Sequence, residues 1–457
     1  MAPVLLSMMA NKLKIEIYDP KVETRNLSEQ KLVDENLFSK QVAYLFEHSN
    51  FYKNKLRKSG FKSAKSIGGL DNLEELPFTT KAELRKSQSE AIMSASHWAA
   101  PIENIARIYS TSGTSGIPMY VPLTRNDLAC WILTSKRAYT AAGIRPHHRV
   151  LTTYNSGPFV AGAVGESLQS LGVNLIPIGT GNTERLIRSL QRFKPNAMPG
   201  TPSFLLYIAE IASSLGVNPA ECGLETLVCG GEPGASEPAV RSKLQSAFNS
   251  KVYEVMGVGD ISISIWGEST EQEGMHFCAQ DFVYVELINP NNGKSIKMED
   301  GATGELVYTH LQHEAAPLLR FRSRDHVIIK TGLVKSGRTG NRVKCVGRTD
   351  DMIIVRGVNV FPSAIREVVS EFQPAVSGII LVKLQQAGVK QSPPILVEVE
   401  LTEKQTTVNK EALALNIEKA LRDKLVFSSR VRLVSHGSLQ RSEYKTNLVS
   451  YSNTDPN

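Results

Sequence analysis

The chain has 457 residues, of which 41% are hydrophobic and 21% charged, so it is long enough for two or more globular domains. A formal charge of +7 favours anionic partners such as nucleotides, but no Lys/Arg run alternates with aromatic residues, so we expect no nucleic-acid partner. Five cysteines without a CxxC pair, and no apolar run near the roughly 20 residues of a membrane span, predict a reduced, cytoplasmic chain without membrane contact.

The first hundred residues are predicted to be helical and irregular. The segment LFSKQVAYLFEHSNFYKNKLRKSG has apolar residues at helical spacing and ends at Gly60, a residue typical of helix ends. Further on, LEELPFTTKAELRKS predicts a helix that begins at Lys81 and is capped by Thr79 or Thr80.

The stretch IYSTSGTSGIPMY, from Ile108 to Tyr120, is rich in glycine and in hydroxyl-bearing residues. It buries little apolar surface and costs entropy to order, so we expect a ligand to compensate for that cost. Glycines let the backbone approach a phosphate, and hydroxyl and N–H groups donate to its oxygens. The Walker pattern is absent, and taken alone the stretch fits a flexible linker equally well.

From Arg149 onward the sequence alternates between short apolar strands and helical segments. The strands read RVLTTYN, VNLIPIG, LETLVCGGE and KVYEVMG, with helical patterns such as TERLIRSLQRF between them. This alternation predicts a mainly parallel sheet covered by helices, with its binding site at the carboxyl ends of the strands. The glycine-rich segments GTGNT and CGGEPG follow two of these strands.

The remaining sequence predicts a β-rich part followed by a small α+β domain. Residues 281–334 have strand patterns with a turn at Asn291-Asn292-Gly293. The last hundred residues read strand, helix, strand, strand, helix, strand. We therefore predict an α/β protein with a large domain over residues 1–349 and a small domain over residues 350–457.

Four motifs in a fixed order give the sequence a family resemblance. The hydroxyl-rich loop is followed by GGEPG, then PLLRFRSRD, then GRTDDMIIVRGVNVFPSAIREVV. Together they resemble the adenylate-forming superfamily of acyl-CoA synthetases, luciferases and peptide-synthetase adenylation domains. The chain is most similar to the phenylacetate-CoA ligase group, from about residue 40 to residue 447.

The resemblance implies an ATP-binding site made of these motifs. The phosphate loop would be Ser110, Thr111, Ser112, Gly113, Thr114, Ser115 and Gly116. Gly231, Glu232 and Pro233 would line the adenine site, Asp325 would accept the ribose hydroxyls, and Arg348 would lie near ribose and phosphates. The further predicted nucleotide contacts are Glu254, Met256, Gly257 and Lys81.

The resemblance also implies residues for catalysis, hinge motion and acid binding. Lys445 matches the mobile catalytic lysine, and Asp350 matches the hinge between the two domains. Tyr154, Gly157 and Phe159 fall where the group forms its acyl pocket, which suits an aryl or cyclic acid. Plain packing beneath the sheet remains the alternative for this pocket.

Other interpretations of the charged residues also stay open. Asp325 could be a surface ion pair with Arg322 or Arg324, and the adjacent carboxylates at Asp350 could mark a solvated turn.

The sequence departs from the group where Tyr-Gly-x-Ser-Glu is usual. Here the residues are Met256 to Asp260, with Gly259 in place of the hydroxyl residue. Asp260 keeps the charge with one methylene less, and Mg²⁺ accepts a carboxylate of either length, so we expect Mg²⁺ to be held there. We expect no zinc, because Ser269 and Asp281 stand at the likely cysteine places of the ligand set that some relatives carry, and only His276 and Cys278 remain.

The resemblance implies an ATP-dependent ligase that adenylates a carboxylic acid, releases pyrophosphate and passes the acyl group to an acceptor. We expect the acceptor to be the CoA thiol. The alternatives are an amino acid or amine, as in coronafacate ligases, or a separate carrier protein. A catalytically dead nucleotide-binding scaffold is a further alternative, and the sequence leaves the oligomeric state, including a homodimer, open.

Overall fold

The computed structural model describes residues 17–91, 95–111, 118–154, 157, 159–179, 181–356, 358–385, 390–403, 409–441 and 447–451. Its largest feature is a twelve-stranded sheet, which is followed along the chain by a smaller unit with its own sheets. The expected α/β class is confirmed.

The N-terminal segment packs several helices against the large sheet. They are α1 (Pro20–Glu23), α2 (Leu27–His48), α3 (Asn50–Lys58) and α4 (Lys81–Glu90). The helical pattern ending at Gly60 is therefore split, because Ser49 is extended and its side chain accepts from the Tyr52 N–H. Thr80 caps α4 in a capping box with Glu83, which decides between the two predicted caps.

A small hairpin carries the ends of the hydroxyl-rich stretch. Its strands are β1 (Arg107–Ser110) and β2 (Tyr120–Leu123), which pair antiparallel, and α5 (Arg125–Ala141) follows. The capping box of Thr124 with Asp127 starts α5, and the Asp127 carboxylate also accepts from the N–H groups of Glu314 and Ala315. These bonds fix the hairpin against the segment just before PLLRFRSRD.

Half of the large sheet is parallel and alternates with helices, as the sequence predicts. The elements are β3 (Arg149–Thr152), α6 (Ala163–Leu171), β4 (Asn174–Pro177), α7 (Thr183–Phe193), β5 (Ala197–Gly200), α8 (Pro202–Ser214), β6 (Thr226–Cys229), α9 (Pro238–Phe248) and β7 (Lys251–Val258). The spatial order is β4-β3-β5-β6-β7, and each neighbouring pair is parallel. The carboxyl ends of these strands therefore lie at one edge of the sheet.

The other half of the sheet is antiparallel and continues from β7. It contains β8 (Ser262–Glu268), β9 (Met275–Phe277), β10 (Val283–Ile288), β11 (Ser295–Ile296), β12 (Thr303–His310), β13 (Phe321–Lys330) and β14 (Arg342–Arg348). The predicted turn after β10 is confirmed: Gly293 has a φ of +71°, and its N–H donates to the Asn289 carbonyl. This half is the β-rich part that the sequence predicts.

The small unit has a separate core. Its elements are β15 (Ile353–Val355), β16 (Val358–Val360), α10 (Pro362–Ser370), β17 (Val376–Leu384), β18 (Lys390–Gln391), β19 (Ile395–Leu401), α11 (Lys410–Leu425), β20 (Ser429–Val434) and β21 (Val449–Tyr451). The main sheet has the order β20-β19-β17-β21, and its buried cluster uses only residues from Ile353 onward. The predicted boundary after residue 349 stays a prediction.

The described residues give one observation on membrane-spanning helices and one on the state of the cysteines. Within the part of the chain that the structure describes, no helix is both long enough and apolar enough to cross a bilayer. The five cysteines, all among the described residues, are free thiols.

Candidate active site

The hydroxyl-rich loop begins at the buried end of the β1–β2 hairpin. Ser110 and Thr111 are buried, and the Thr111 N–H donates to the Met119 carbonyl at 2.8 Å. The Thr111 hydroxyl is buried and has no hydrogen-bond partner among the described residues. A buried hydroxyl without a partner is costly in a closed protein, so this atom fits a ligand that enters the loop. The rest of the predicted phosphate loop lies outside the described residues: Ser112, Gly113, Thr114, Ser115 and Gly116.

The turn between β7 and β8 packs directly against this loop. A Cβ on Gly259 would lie 3.3 Å from Thr111 Cγ2 and 3.2 Å from Val160 Cγ2, which is tighter than ordinary van der Waals contact. The absence of a side chain at this position therefore brings the turn close to the loop. The next residue, Asp260, is buried beside the same loop.

Asp260 forms an ion pair with the first residue of α4. Lys81 Nζ donates to Asp260 Oδ2 at 2.9 Å, and only 7% of the Asp260 side chain is exposed. The structure thus brings together two predicted site residues that are far apart in the sequence. His97 is buried nearby with its Nδ1 at 2.8 Å from the Ser87 hydroxyl, and burial lowers the pKa of His97 to about 4. His97 is therefore neutral near pH 7, and Lys81 supplies the positive charge.

The residues predicted for the ribose form a second cluster at the end of β13 and β14. Asp325 and Arg348 are cross-strand neighbours, and Arg348 Nη1 donates to Asp325 Oδ1 at 3.3 Å. Arg348 also donates to both carboxylate oxygens of Asp350, at 3.0 and 2.9 Å. Burial alone would lower the pKa of Arg348, but the charges of Asp325 and Asp350 raise it above its ordinary value. Asp350, the expected hinge residue, is therefore bound to Arg348, an expected nucleotide contact.

The two arginines named as alternative partners of Asp325 both contact Glu305. Arg322 pairs with Glu305 at 2.5 Å, and Arg324 lies 3.6 Å from the same carboxylate. The guanidinium of Arg348 lies 3.3 Å from the Asp325 carboxylate.

The segment predicted for adenine lies between the two units. Gly231 has a φ of +89°, which a residue with a side chain rarely adopts. Glu232 accepts from the Ser203 N–H at 2.8 Å at the start of α8. The Pro233 carbonyl accepts from Arg366 Nη2 at 3.0 Å, so a residue of α10 in the small unit contacts this segment.

Glu254 is a buried residue of β7 among other charged side chains. It lines a cavity of about 400 Å³ together with Arg241 and Glu268. Burial, and then the charge of Glu268, raises the pKa of Glu254 to about 7. Arg241 donates to both oxygens of Glu268, at 2.9 and 2.7 Å. The predicted ATP contact of Glu254 stays a prediction, and its surroundings are those of a buried charge network.

Met256 and Gly257, the other two predicted nucleotide contacts on β7, take part in the pairing of β7 with β8. Met256 is half-buried and pairs with Trp266 of β8. A Cβ on Gly257 would lie 2.0 Å from the Ile263 carbonyl oxygen, so the close approach of the β8 backbone requires glycine there. The register of β7 and β8 shifts at this point.

The predicted acyl-pocket residues lie near the loop but differ in burial. Tyr154 is half-buried, and its hydroxyl would lie 3.8 Å from a Cβ on Gly230. Phe159 is 41% exposed, and its backbone forms a bridge with Ser110. Gly157 is exposed, with open space around its Cβ position. Tyr154 therefore adjoins the GGEP segment, and Phe159 adjoins the phosphate loop.

The residues of the zinc-binding set in some relatives have structural contacts here. His276 is buried with Nε2 at 3.1 Å from the Ser269 hydroxyl, and Cys278 donates to the His276 carbonyl. Asp281 forms an ion pair with Arg25. No cluster of three metal-ligating side chains occurs in the described ranges.

Lys445 lies outside the described residues, and the last described residue before it is Arg441. Arg441 donates to both oxygens of Glu400, and Glu210 of α8 contacts Arg441 and His436. Contacts of Glu210, Arg366 and Glu237 between the units were not predicted from the sequence. Their partners are distant in the chain, so no local pattern marks them.

Most of the chain is similar to AMP-binding enzymes and to phenylacetate-coenzyme A ligases. The family described as AMP-binding enzyme matches residues 40–312, and the AMP-binding enzyme C-terminal domain matches residues 357–451. A phenylacetate-coenzyme A ligase of Thermus thermophilus is 31% identical, with 93% of this chain and 97% of the relative covered. The relative of the same name in Escherichia coli is 29% identical over 93% of this chain and 95% of its own length.

A solved 2-hydroxyisobutyryl-CoA ligase has the same fold in this comparison. In its postadenylation state, with R3-HIB-AMP, it is 27% identical and superposes with a TM-score of 0.87, covering 95% of this chain and 92% of the other. The same enzyme with CoA in the thioesterification state covers equal shares but has a TM-score of 0.70. The placement of the two units in the present chain is therefore closer to the postadenylation state.

Proposed function

This chain belongs to the AMP-binding enzyme family, and on that premise we propose that it activates a carboxylic acid with ATP and transfers the acyl group to the CoA thiol. A carboxylate oxygen attacks the α-phosphorus of ATP, and pyrophosphate leaves. The sulfur of CoA then attacks the acyl carbon, loses its proton, and AMP leaves. The catalytic contribution of the protein is positioning and neutralisation of phosphate charge.

The observation that carries this proposal is the meeting of three separate segments at the phosphate loop. The Thr111 hydroxyl is buried without a partner among the described residues, and Gly259 packs against the Cγ2 methyl group of the same side chain. Lys81 and Asp260 lie at the same place as an ion pair. A lysine and a free hydroxyl beside a glycine-rich loop suit the β- and γ-phosphates of ATP.

The donor set also fits a magnesium ion that arrives with ATP. Mg²⁺ needs few protein ligands, because it keeps several waters and binds substrate phosphates. Asp260 would hold it, and the ion would neutralise phosphate charge when bound. Lys81 would then share or release the Asp260 carboxylate and turn its ammonium group toward the phosphates.

We assign the remaining roles from the second cluster and from the expected lysine. Asp325 would accept the ribose hydroxyls, while Arg348 would contact ribose and phosphate oxygens from the same side. Lys445 would reach the forming adenylate from the small unit. Asp350 would act as the hinge, since it joins Arg348 of the large sheet to the start of the small unit.

The choice of acceptor and acid is part of the proposal. The relatives named as CoA ligases favour a thiol, so an amide ligase is the second candidate, motivated by Gly259 and Asp260. Tyr154 and Phe159 support an aryl or cyclic acid, because both lie beside predicted nucleotide segments. A cytoplasmic location and a homodimer remain predictions from the sequence.

A competition assay tests this function. The full chain is mixed with ATP, Mg²⁺, aryl, cyclic and short aliphatic acids, CoA and pooled amino acids, and the products are identified by mass spectrometry. We expect a thioester of an aryl or cyclic acid, with one AMP formed for each thioester. An amide without a thioester would replace the leading candidate with the second one.

A further inference from the structure

A contact between the two units involves one carboxylate of the large unit. Glu210, on α8, has its Oε1 at 3.0 Å from His436 Nε2 and accepts from Arg441 Nη2 at 3.3 Å. Its side chain is 42% exposed, so it is not a buried charge on which folding depends. Both partners lie in the segment that follows β20 and leads to Lys445.

Within the small unit, Glu400 contacts several residues of the described part of this segment. Glu400 is fully buried on β19 and accepts from Arg441 Nη1 at 2.7 Å and Nη2 at 3.0 Å. It also accepts from the Leu439 N–H at 3.3 Å, and His436 Nδ1 lies 3.5 Å from its Oε1. Arg441 therefore has a fixed orientation within the small unit, and it presents one edge of its guanidinium to Glu210.

The surrounding interface combines charged and polar contacts with an incompletely filled gap that has a mainly apolar lining. Arg366 pairs with Glu237 at 2.8 Å, and Lys243 donates to the Ser377 carbonyl at 3.1 Å. A cavity of about 360 Å³ lies between the units beside Glu210. Polar contacts that water can replace, next to such a cavity, suit an interface that forms and separates repeatedly.

We propose that Glu210 is a positioning residue that selects the placement of the small unit in which Lys445 can assist adenylation. The inference rests on the proposed function for the role of Lys445, which follows Arg441 by one short segment. Because the carboxylate acts only when the units are docked as here, its loss weakens the first half-reaction and not the second. The placement of the two units in this chain is closer to that of the 2-hydroxyisobutyryl-CoA ligase in its postadenylation state than to that of the same enzyme in its thioesterification state.

The kinetic test separates the two half-reactions of the full chain. Adenylation is measured as acid-dependent exchange of labelled pyrophosphate into ATP, and thioester formation is measured from supplied acyl-adenylate and CoA. We expect Glu210→Ala to slow exchange roughly three- to tenfold, with thioester formation within about twofold of the original. Glu210→Gln, which keeps a hydrogen-bond acceptor, should lie in between. Glu184→Ala removes an exposed carboxylate paired with Arg188 on α7 and is the matched control.

A conformational measurement keeps the inference independent of activity. Spin labels at Leu215→Cys and Leu415→Cys, exposed positions on the two units, report their separation by pulsed electron resonance, with the unsubstituted chain as the labelling control. We expect Glu210→Ala to broaden or shift the distance distribution, whereas Glu184→Ala leaves it unchanged. Unchanged distances, or equal losses in both half-reactions, would overturn the inference. A distance shift in a chain that shows no exchange with any acid would support the contact and reject the proposed function.

Discussion

At the scale of single residues, the candidate site depends on pairs that no local pattern reveals. Lys81 and Asp260 are each identifiable in the sequence as phosphate and metal candidates, but their ion pair forms between residues 179 positions apart. The same holds for Arg348 and Asp325, which β13 and β14 place side by side. The residue types were therefore predictable, and the pairing was not.

The first prediction concerns the ammonium group of Lys81. Lys81→Ala removes the cation beside the phosphate loop and leaves the buried Asp260 carboxylate without this partner. We expect acid-dependent pyrophosphate exchange to fall by about ten- to hundredfold, because preorganised charge at a phosphate site contributes on that scale. Lys86→Ala, an exposed lysine on the same helix, is the control. Equal activity of both variants would remove Lys81 from the site.

The second prediction concerns the carboxylate of Asp325. Asp325→Asn keeps the side-chain size but replaces one acceptor oxygen by a donor, so it can no longer accept from both ribose hydroxyls. We expect the KM for ATP to rise by about tenfold, with a smaller change in kcat. Steady-state kinetics with varied ATP measures it. An unchanged KM would favour a purely structural pairing with Arg348.

At the scale of secondary structure, the turn from β7 into β8 decides how closely the site packs. Gly257→Ala places a Cβ 2.0 Å from the Ile263 carbonyl oxygen. We expect a loss of more than about 2 kcal/mol in the free energy of unfolding, measured by thermal denaturation. Gly165→Ala, inside α6 with its Cβ position 3.9 Å from the nearest atom, should instead be neutral or stabilising. Equal stability of the two variants would contradict the close approach of β8.

The buried carboxylate on β7 makes stability depend on pH. Burial and Glu268 raise the pKa of Glu254 from 4.5 to about 7, so the folded chain binds the proton more tightly than the unfolded chain. Stability from this group is therefore complete below about pH 4.5 and falls as the pH rises to about 7, by at most roughly 3 kcal/mol.

Glu254→Gln tests that dependence. Glutamine does not ionise, so we expect the variant to lack the fall in stability that ionisation of Glu254 causes. The melting temperature of the variant minus that of the original chain should therefore increase from pH 5 to pH 8. Glu273→Gln, an exposed carboxylate at the same cavity, should follow the original chain. A parallel pH profile for Glu254→Gln would show that the group is ionised in the folded chain throughout.

The elements themselves were largely predictable because their signals are local. The strand–helix alternation from Arg149, the turn at Gly293 and the start of α4 at Lys81 all depend on nearby residues. The break at Ser49 was missed, since the apolar spacing continues through it and only the cap on the Tyr52 N–H marks the new helix. A prediction of helix boundaries from sequence should therefore consider polar N-cap residues inside a long helical pattern as well as the apolar periodicity.

At the scale of the whole molecule, two units with separate cores meet through an interface that contains ion pairs beside a mainly apolar gap. Arg366 and Glu237, together with Glu210 and Arg441, hold the GGEP side of the large unit against the small unit. The family motifs predicted that two units exist. Their relative placement could not be predicted, because it depends on surface residues with no shared sequence pattern.

The proposed adenylation is tested most directly by acid-dependent exchange of labelled pyrophosphate into ATP, measured for the full chain and for Lys445→Ala. We expect exchange with at least one aryl or cyclic acid, no exchange without acid, and a loss of about a hundredfold or more in the variant. ATP binding without exchange for any acid would contradict the proposed adenylation and indicate a nucleotide-binding scaffold.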